Sequence, residues 1–262
     1  MKFALVGGER REAEPGLSAA CLGCGAAMIP KCGDVRVAHW AHRRTSDCDH
    51  WWESETPWHR DWKNHFPKHC QEIIHLSNSG EKHIADVKTE SGVVIEFQYS
   101  FLHKDERESR EKFYPKLVWV VDAARRKRDR KKFFEALRGP LGISPIVPIY
   151  SVSMNESALL RDWGASRVPV YFDFGADKTE ETLHFDTDAL WRLNPRARGG
   201  SAYLVPVPRE QFLRIHIKGE PFEKSCADLV ELVDSYFRQQ TRQRLAGFER
   251  YSVQRASARR RF

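Results

Sequence analysis

Five consecutive apolar residues, Leu117, Val118, Trp119, Val120 and Val121, stand between Lys116 and Asp122, and so short a run predicts a strand buried on both faces. Upstream the pattern alternates. Val94, Glu96 and Gln98 fall on one face of an extended segment, and Val93, Ile95 and Phe97 on the other. Ser91 and Gly92 supply a tight turn between this segment and His83 to Lys88, which together predict a hairpin. Gln71 to Leu76 predicts a further strand, Ser77 to Glu81 a turn, and Asp105 to Tyr114 a helix. Trp51, Trp58, Trp62 and Phe66 recur at near-helical spacing and predict a helix with one apolar stripe. Pro57 is tolerated only in a first turn, so this helix begins near Ser54 or Thr56 with Glu55 at its start. From Trp51 to Asp122 the order is therefore helix, strand, strand, strand, helix, strand.

Pro140 to Pro148 is a Pro- and Gly-rich connection, after which the chain turns β-rich. Val168 to Phe174, Thr182 to Phe185 and Phe212 to Ile217 are strand candidates, Ser225 to Leu245 reads as a long amphipathic helix, and Arg255 to Phe262 as a disordered basic tail. These patterns predict an α/β fold of the α+β kind. Its expected parts are a small N-terminal segment (1–50), an αβββαβ core (51–138) and a β-rich accessory region (139–262).

A chain of 262 residues with 41% hydrophobic content can bury a real core. Its formal charge of +7 comes from 43 basic and 36 acidic residues interspersed, so an anionic partner is favoured only where bases cluster. No stretch has the apolar length to cross a bilayer, and Phe3 to Val6 is too short for a signal-peptide core, so the expected location is the cytoplasm. In that reducing compartment Cys21, Cys24, Cys32, Cys48, Cys70 and Cys226 do not make a disulfide framework. Close pairs point to metal or redox chemistry.

Cys21-Leu22-Gly23-Cys24 presents two thiolates to one ion, and His39 and His42 can complete a tetrahedral Cys₂His₂ shell, the pattern of a zinc ribbon or knuckle. Cys32, Cys48 and His50 are rival ligands on spacing alone. A redox role is weaker, because the Cys pair is not set between a strand and a helix. The second chemical feature is the hairpin. Asp86 and Glu96 converge with no adjacent Lys or Arg, and their oxygens, with the Phe97 carbonyl and waters, suit Mg²⁺ or Mn²⁺. The alternative is a hairpin whose acids face solvent. Glu55, His59 and Lys63, spaced four apart, are either an active-site trio or a surface salt-bridge ladder.

The element order, with an acid on the second strand and an acid-x-polar unit on the third, is that of the PD-(D/E)XK nuclease core. Taken in sequence, the Cys21/Cys24 pair, His39-Trp40-Ala41-His42, the Glu55, His59 and Lys63 trio, Ala85-Asp86-Val87, Glu96-Phe97-Gln98 with Ser100, Arg110 with Phe113 and Tyr114, and Trp119 resemble the competence protein CoiA-like family. The resemblance covers the chain to about residue 125. It implies a restriction-type nuclease core and a link to DNA uptake, recombination or processing. Gln98 stands where the wider nuclease superfamily usually has lysine, and a neutral amide orients a water without offering positive charge.

Arg125, Arg126, Arg128 and Lys131 belong to a basic run that is either a solvated face or a phosphate-binding stretch beside the cleft. Arg110, His59 and Lys63 are expected to contact phosphate or hold the carboxylates. The expected activity is metal-dependent hydrolysis of DNA, with Asp86 and Glu96 as Mg²⁺ ligands, Gln98 orienting water and Glu55 on a second ion or a bridging water. The alternative is a catalytically silent DNA-binding module of nuclease ancestry. Oligomeric state is left open.

Overall fold

The structure, a computed structural model, describes residues 1–34, 36–44, 48–51, 53, 55–77, 80–137, 139–141, 148–176, 185, 188–194 and 201–219. Towards the C-terminus it describes 235, 236, 238, 239, 241–243, 245 and 246. Cys226, Thr182 to His184, most of Ser225 to Leu245 and the basic tail lie outside the described residues. Among the described residues no helix is long and apolar enough to cross a membrane.

Five short strands open the chain: β1 (Phe3–Val6), β2 (Glu9–Glu12), β3 (Ala19–Ala20), β4 (Ala27–Lys31) and β5 (His39–His42). They form one antiparallel sheet in the order β2-β1-β3-β4-β5. Met1, Ala4, Ala13, Cys21, Met28 and Trp40 are its core. The N-terminal segment thus has a small apolar centre of its own.

The next six elements follow the expected order: α1 (Pro57–Asn64), β6 (Gln71–Leu76), β7 (Lys82–Lys88), β8 (Val94–Gln98), α2 (Lys104–Phe113) and β9 (Leu117–Asp122). Strands β6, β7 and β8 run antiparallel, and β9 lies parallel beside β8. Gly92 takes the left-handed φ of 78° that the hairpin turn needs, and its N–H closes the turn on the Thr89 carbonyl at 2.9 Å. Helix α1 starts at Thr56, whose hydroxyl accepts from the His59 N–H, with Pro57 in the first turn where its missing donor costs nothing. Trp51 is not on that helix. It packs with Tyr114 and Trp119 on one face of the sheet, whereas Trp62 and Phe66 pack with Phe97 on the other.

The remaining elements are α3 (Lys127–Ala136), β10 (Tyr150–Ser153), α4 (Ala158–Trp163), β11 (Val170–Asp173), β12 (Ala189–Leu193), β13 (Ser201–Pro208) and α5 (Arg209–Lys218). Their strands do not build a detached accessory region. They extend the same sheet, in the order β10-β13-β12-β11-β9-β8-β7-β6, with β11 parallel to β9. Phe212 to Ile217, expected as a strand, is the body of α5: Phe212 and His216, four apart, are buried, and Gly219 ends the helix in the left-handed region at φ 65°.

Alternation along β9 explains the layering. Leu117, Trp119 and Val121 meet Phe133 of α3 and Leu159, Leu160 and Trp163 of α4, while Val118 and Val120 meet Trp62 of α1 and Phe212 of α5. Asp173 at the end of β11 ties the second layer down. Its Oδ2 accepts from the indole N–H groups of Trp58 and Trp62, both at 2.9 Å, and its Oδ1 from Arg209 at 2.7 Å and the Gly175 N–H at 2.9 Å. The N-terminal sheet is joined by Glu72 of β6, a buried residue at φ 47°, whose carboxylate accepts from Lys2 N (2.6 Å) and Phe3 N (2.9 Å).

Candidate functional site

The β7–β8 ladder pairs Lys88 with Val94 and Val87 with Ile95, which sets Asp86 and Glu96 opposite each other at the next step. There side chains replace main-chain partners. Phe97 N donates to Asp86 Oδ2 at 3.0 Å. Both acids line a cavity of about 340 Å³, walled also by Asp49, Glu53, Glu55, Glu72, Lys63, Arg110 and Arg44. Glu96 Oε2 lies 3.3 Å from Arg110 Nη1, whereas its buried Oε1 meets no donor among the described residues. Burial, reinforced by the charges of Asp86 and Asp49, pushes the Glu96 carboxyl up to about 8 against the pull of Arg110.

The expected trio converges on this cavity, though not as one helical ladder. Lys63 Nζ stands 2.9 Å from Glu55 Oε1, 3.0 Å from Glu72 Oε1 and 3.8 Å from Asp86 Oδ1. Burial disfavours its charge, but Glu72, Asp86 and Glu55 together hold its pKa above the ordinary lysine value. Glu55 precedes the helix cap and is buried. Burial alone would raise its pKa, yet Lys63 and Arg60 bring it down to about 2. His59 Nδ1 accepts from the Thr56 N–H at 3.3 Å, so Nε2 carries the proton and donates to the Phe97 carbonyl at 2.8 Å. This uses the carbonyl that the sequence reading offered to a metal.

Glu53 escaped the sequence reading. Its Oε1 accepts from Ser100 N at 2.6 Å. Its Oε2 accepts from Tyr99 N (3.3 Å) and Gln98 Nε2 (3.2 Å), and lies 3.3 Å from His59 Nε2. Burial opposes its charge, and hydrogen bonds from His59 and Ser100 prevail and lower its pKa. Nothing in its spacing marked it, because three of its partners, Gln98, Tyr99 and Ser100, are more than forty residues away. Gln98 turns its amide towards Glu53 and Ser100 and does not line the cavity.

The second centre gathers Cys21, Cys24, His42 and Cys48, whose ligand atoms lie within 4.8 Å of one another. Cys21 Sγ is 3.5 Å from Cys48 Sγ, and Cys24 Sγ 3.3 Å from His42 Nε2. The Cys21–Cys24 turn is closed by the Gly25 N–H on the Cys21 carbonyl at 2.9 Å. Burial raises Cys24, but the Ala26 backbone bond and the His42 contact overcome it and bring the thiol down to about 7. Burial raises Cys48. Three thiols and an imidazole are a donor set that can hold a structural zinc. His39 is not a member, and Cys48 stands in its place. Three residues apart on β5, His39 and His42 point to opposite faces, and His39 Nδ1 donates to the Val37 carbonyl at 2.8 Å. Cys32 and His50 also lie outside this cluster.

The basic residues separate into two kinds. Arg110 is buried, held by Glu96, by Glu106 and by the Trp51 carbonyl at 2.7 Å, and lines the cavity. Arg126 pairs with Asp162 at 2.7 Å. Arg125, Arg128 and Lys131 are exposed, Arg125 lying over the Tyr99 ring at 5.2 Å and Lys131 3.7 Å from Glu135.

Residues 18–50 match the family model for Competence protein CoiA, N-terminal domain, which supports a relationship to the CoiA family. The matched segment contains all four residues of the Cys/His cluster and ends before Glu53 and the β7–β8 carboxylates. Comparison with curated proteins and with solved structures gave no match.

Proposed function

We propose that this chain is a divalent-metal-dependent nuclease of the PD-(D/E)XK kind, acting on DNA in the cytoplasm in uptake, recombination, processing or defence. Asp86 and Glu96 are its Mg²⁺ or Mn²⁺ ligands. The observation that carries this reading is Glu96 Oε1, a buried oxygen that meets no donor among the described residues, on a residue that lines the same cavity as Asp86. Such an arrangement is unfavourable alone and fits a hard cation with oxygen ligands. When bound, the cation supplies an activated water and neutralises charge building on a phosphodiester.

The chain's own residues do the positioning. Arg110 turns one Glu96 oxygen away and leaves the other facing the cavity. Lys63 holds Glu55, Glu72 and Asp86. His59 and Glu53 together fix the chain from Phe97 to Ser100. Gln98 acts through Glu53, and Arg125, Arg128 and Lys131 offer charge to the phosphates outside. The relationship to the CoiA family supports a competence-related role.

A second reading, a DNA-binding module without cleavage, is favoured by one observation: Lys63 and Arg110 already neutralise part of the carboxylate charge. Incubation of single- and double-stranded DNA with the protein in Mg²⁺, Mn²⁺ or EDTA decides between them. Cleavage that needs the metal and vanishes in Asp86→Asn is expected. Binding without cleavage on every substrate supports the second reading.

A further inference from the structure

A third group of metal-type donors lies beside the Cys/His cluster, with Asp49 also at the wall of the carboxylate cavity. Asp49, His50 and His83 each offer one ligand atom, all within 4.8 Å of one another. His83, on β7, is buried and stacks on Trp51 with ring centroids 3.3 Å apart. Its Nδ1 is 2.9 Å from Asp49 Oδ1, and its Nε2 is 3.0 Å from Glu81 Oε1. Asp49 is itself fixed by the main chain. Trp51 N donates to Oδ1 at 3.0 Å and Ile84 N to Oδ2 at 2.8 Å. His50 is exposed, with its ring edge-on to His83 at 5.2 Å.

We propose that Asp49, His50 and His83 form a second transition-metal site, for a borderline divalent ion such as Zn²⁺ or Co²⁺, with one coordination position open to water. Two ligands of a tetrahedral ion at ordinary bond lengths stand about 3.3 Å apart, close to the Asp49–His83 separation. With the Nε2–H of His83 donating to Glu81, Nδ1 is the ring nitrogen that can offer a lone pair to an ion. A carboxylate behind a ligating imidazole is the usual way its tautomer is set. The ion would stand between Asp49 Oδ1 and His83 Nδ1. Two imidazoles and one carboxylate favour such an ion over Mg²⁺, which prefers oxygen. Exposed His50 leaves one side of the site open to solvent, unlike the four-donor Cys/His cluster.

The test titrates Co²⁺ into protein carrying a single equivalent of zinc, which the four-donor Cys/His cluster takes, in excess Mg²⁺, which occupies any all-oxygen site. One additional equivalent of Co²⁺ is expected, with ligand-field bands and no thiolate charge-transfer absorption. The binding should persist in Glu96→Gln, which separates it from the carboxylate cavity. It should weaken by about tenfold or more in His50→Ala, a surface change that leaves the circular dichroism spectrum unaltered. His83→Gln should abolish it. Absence of bound Co²⁺ in the wild type, a signal confined to thiolate-type bands, or unchanged affinity in His50→Ala overturns the proposal and leaves His83 a buried ring hydrogen-bonded to Asp49 and Glu81.

Discussion

Glu96 meets opposed demands: Arg110 favours its charge, while burial and Asp86 disfavour it and win. The folded chain therefore keeps a proton that the unfolded chain, with a carboxyl near 4.5, has released. Stability contributed by this group is full below pH 4.5 and is lost as pH rises through about 8. Metal-free Glu96→Gln should thus melt higher than wild type above pH 8, with a flatter dependence between 4.5 and 8, while metal-dependent cleavage falls by orders of magnitude. Melting curves across that range, beside a cleavage assay, check both. Glu55 works in the other direction: its depressed pKa contributes stability above pH 4.5 that is lost as pH falls towards 2. Lys63→Met, which leaves Glu55 and Glu72 buried without their cation, should cost about 3–5 kcal/mol in urea denaturation. Asp86 and Glu96 were legible because a hairpin's register puts two numbered positions opposite each other. Glu53 was not, since its role arises from backbone donors at Tyr99 and Ser100 that the fold brings to it.

At the level of elements, what succeeded and what failed share a cause. Strands β6 to β9 and helix α2 have local patterns strong enough to read directly. The tryptophan spacing fitted a helix, yet only Trp58 and Trp62 lie on α1, with Phe66 just past its end, because Trp51 is drawn to the opposite face of the sheet by Tyr114 and Trp119. His39 and His42 were paired by spacing alone. Read as a strand, the same spacing separates them, and this yields a sharp expectation: Cys48→Ser should lose bound zinc, while His39→Ala keeps it, by elemental analysis of protein purified without chelators. Helix α3 turns Phe133 and Phe134 inward and leaves Arg128 and Lys131 exposed. Reversing the charge of Arg128 and Lys131 with Arg125 should weaken DNA binding and flatten the slope of log affinity against log salt, whatever the DNA sequence. An unchanged slope would show a merely solvated face.

Across the whole molecule, the boundary drawn near residue 138 divides one sheet. Pattern reading placed a connection at Pro140 to Pro148, most of which lies outside the described residues, and did not show that β11 returns to pair with β9, because parallel pairing over such a separation leaves no local trace. A fragment ending at residue 138 should accordingly fail to fold, by circular dichroism and proteolysis, since the Trp119 face loses α4 and β11. Asp173→Ala, which strands two indole N–H groups and Arg209, should destabilise the intact chain by about 3–5 kcal/mol in urea. The parallel partnership of β9 and β11 also sets a schedule for biosynthesis. On the ribosome β9 emerges about fifty residues before the strand that covers its second edge. Until then the nascent chain displays a half-paired strand that is apolar from Leu117 to Val121, the surface that chaperones bind and that unprotected chains use to associate with one another.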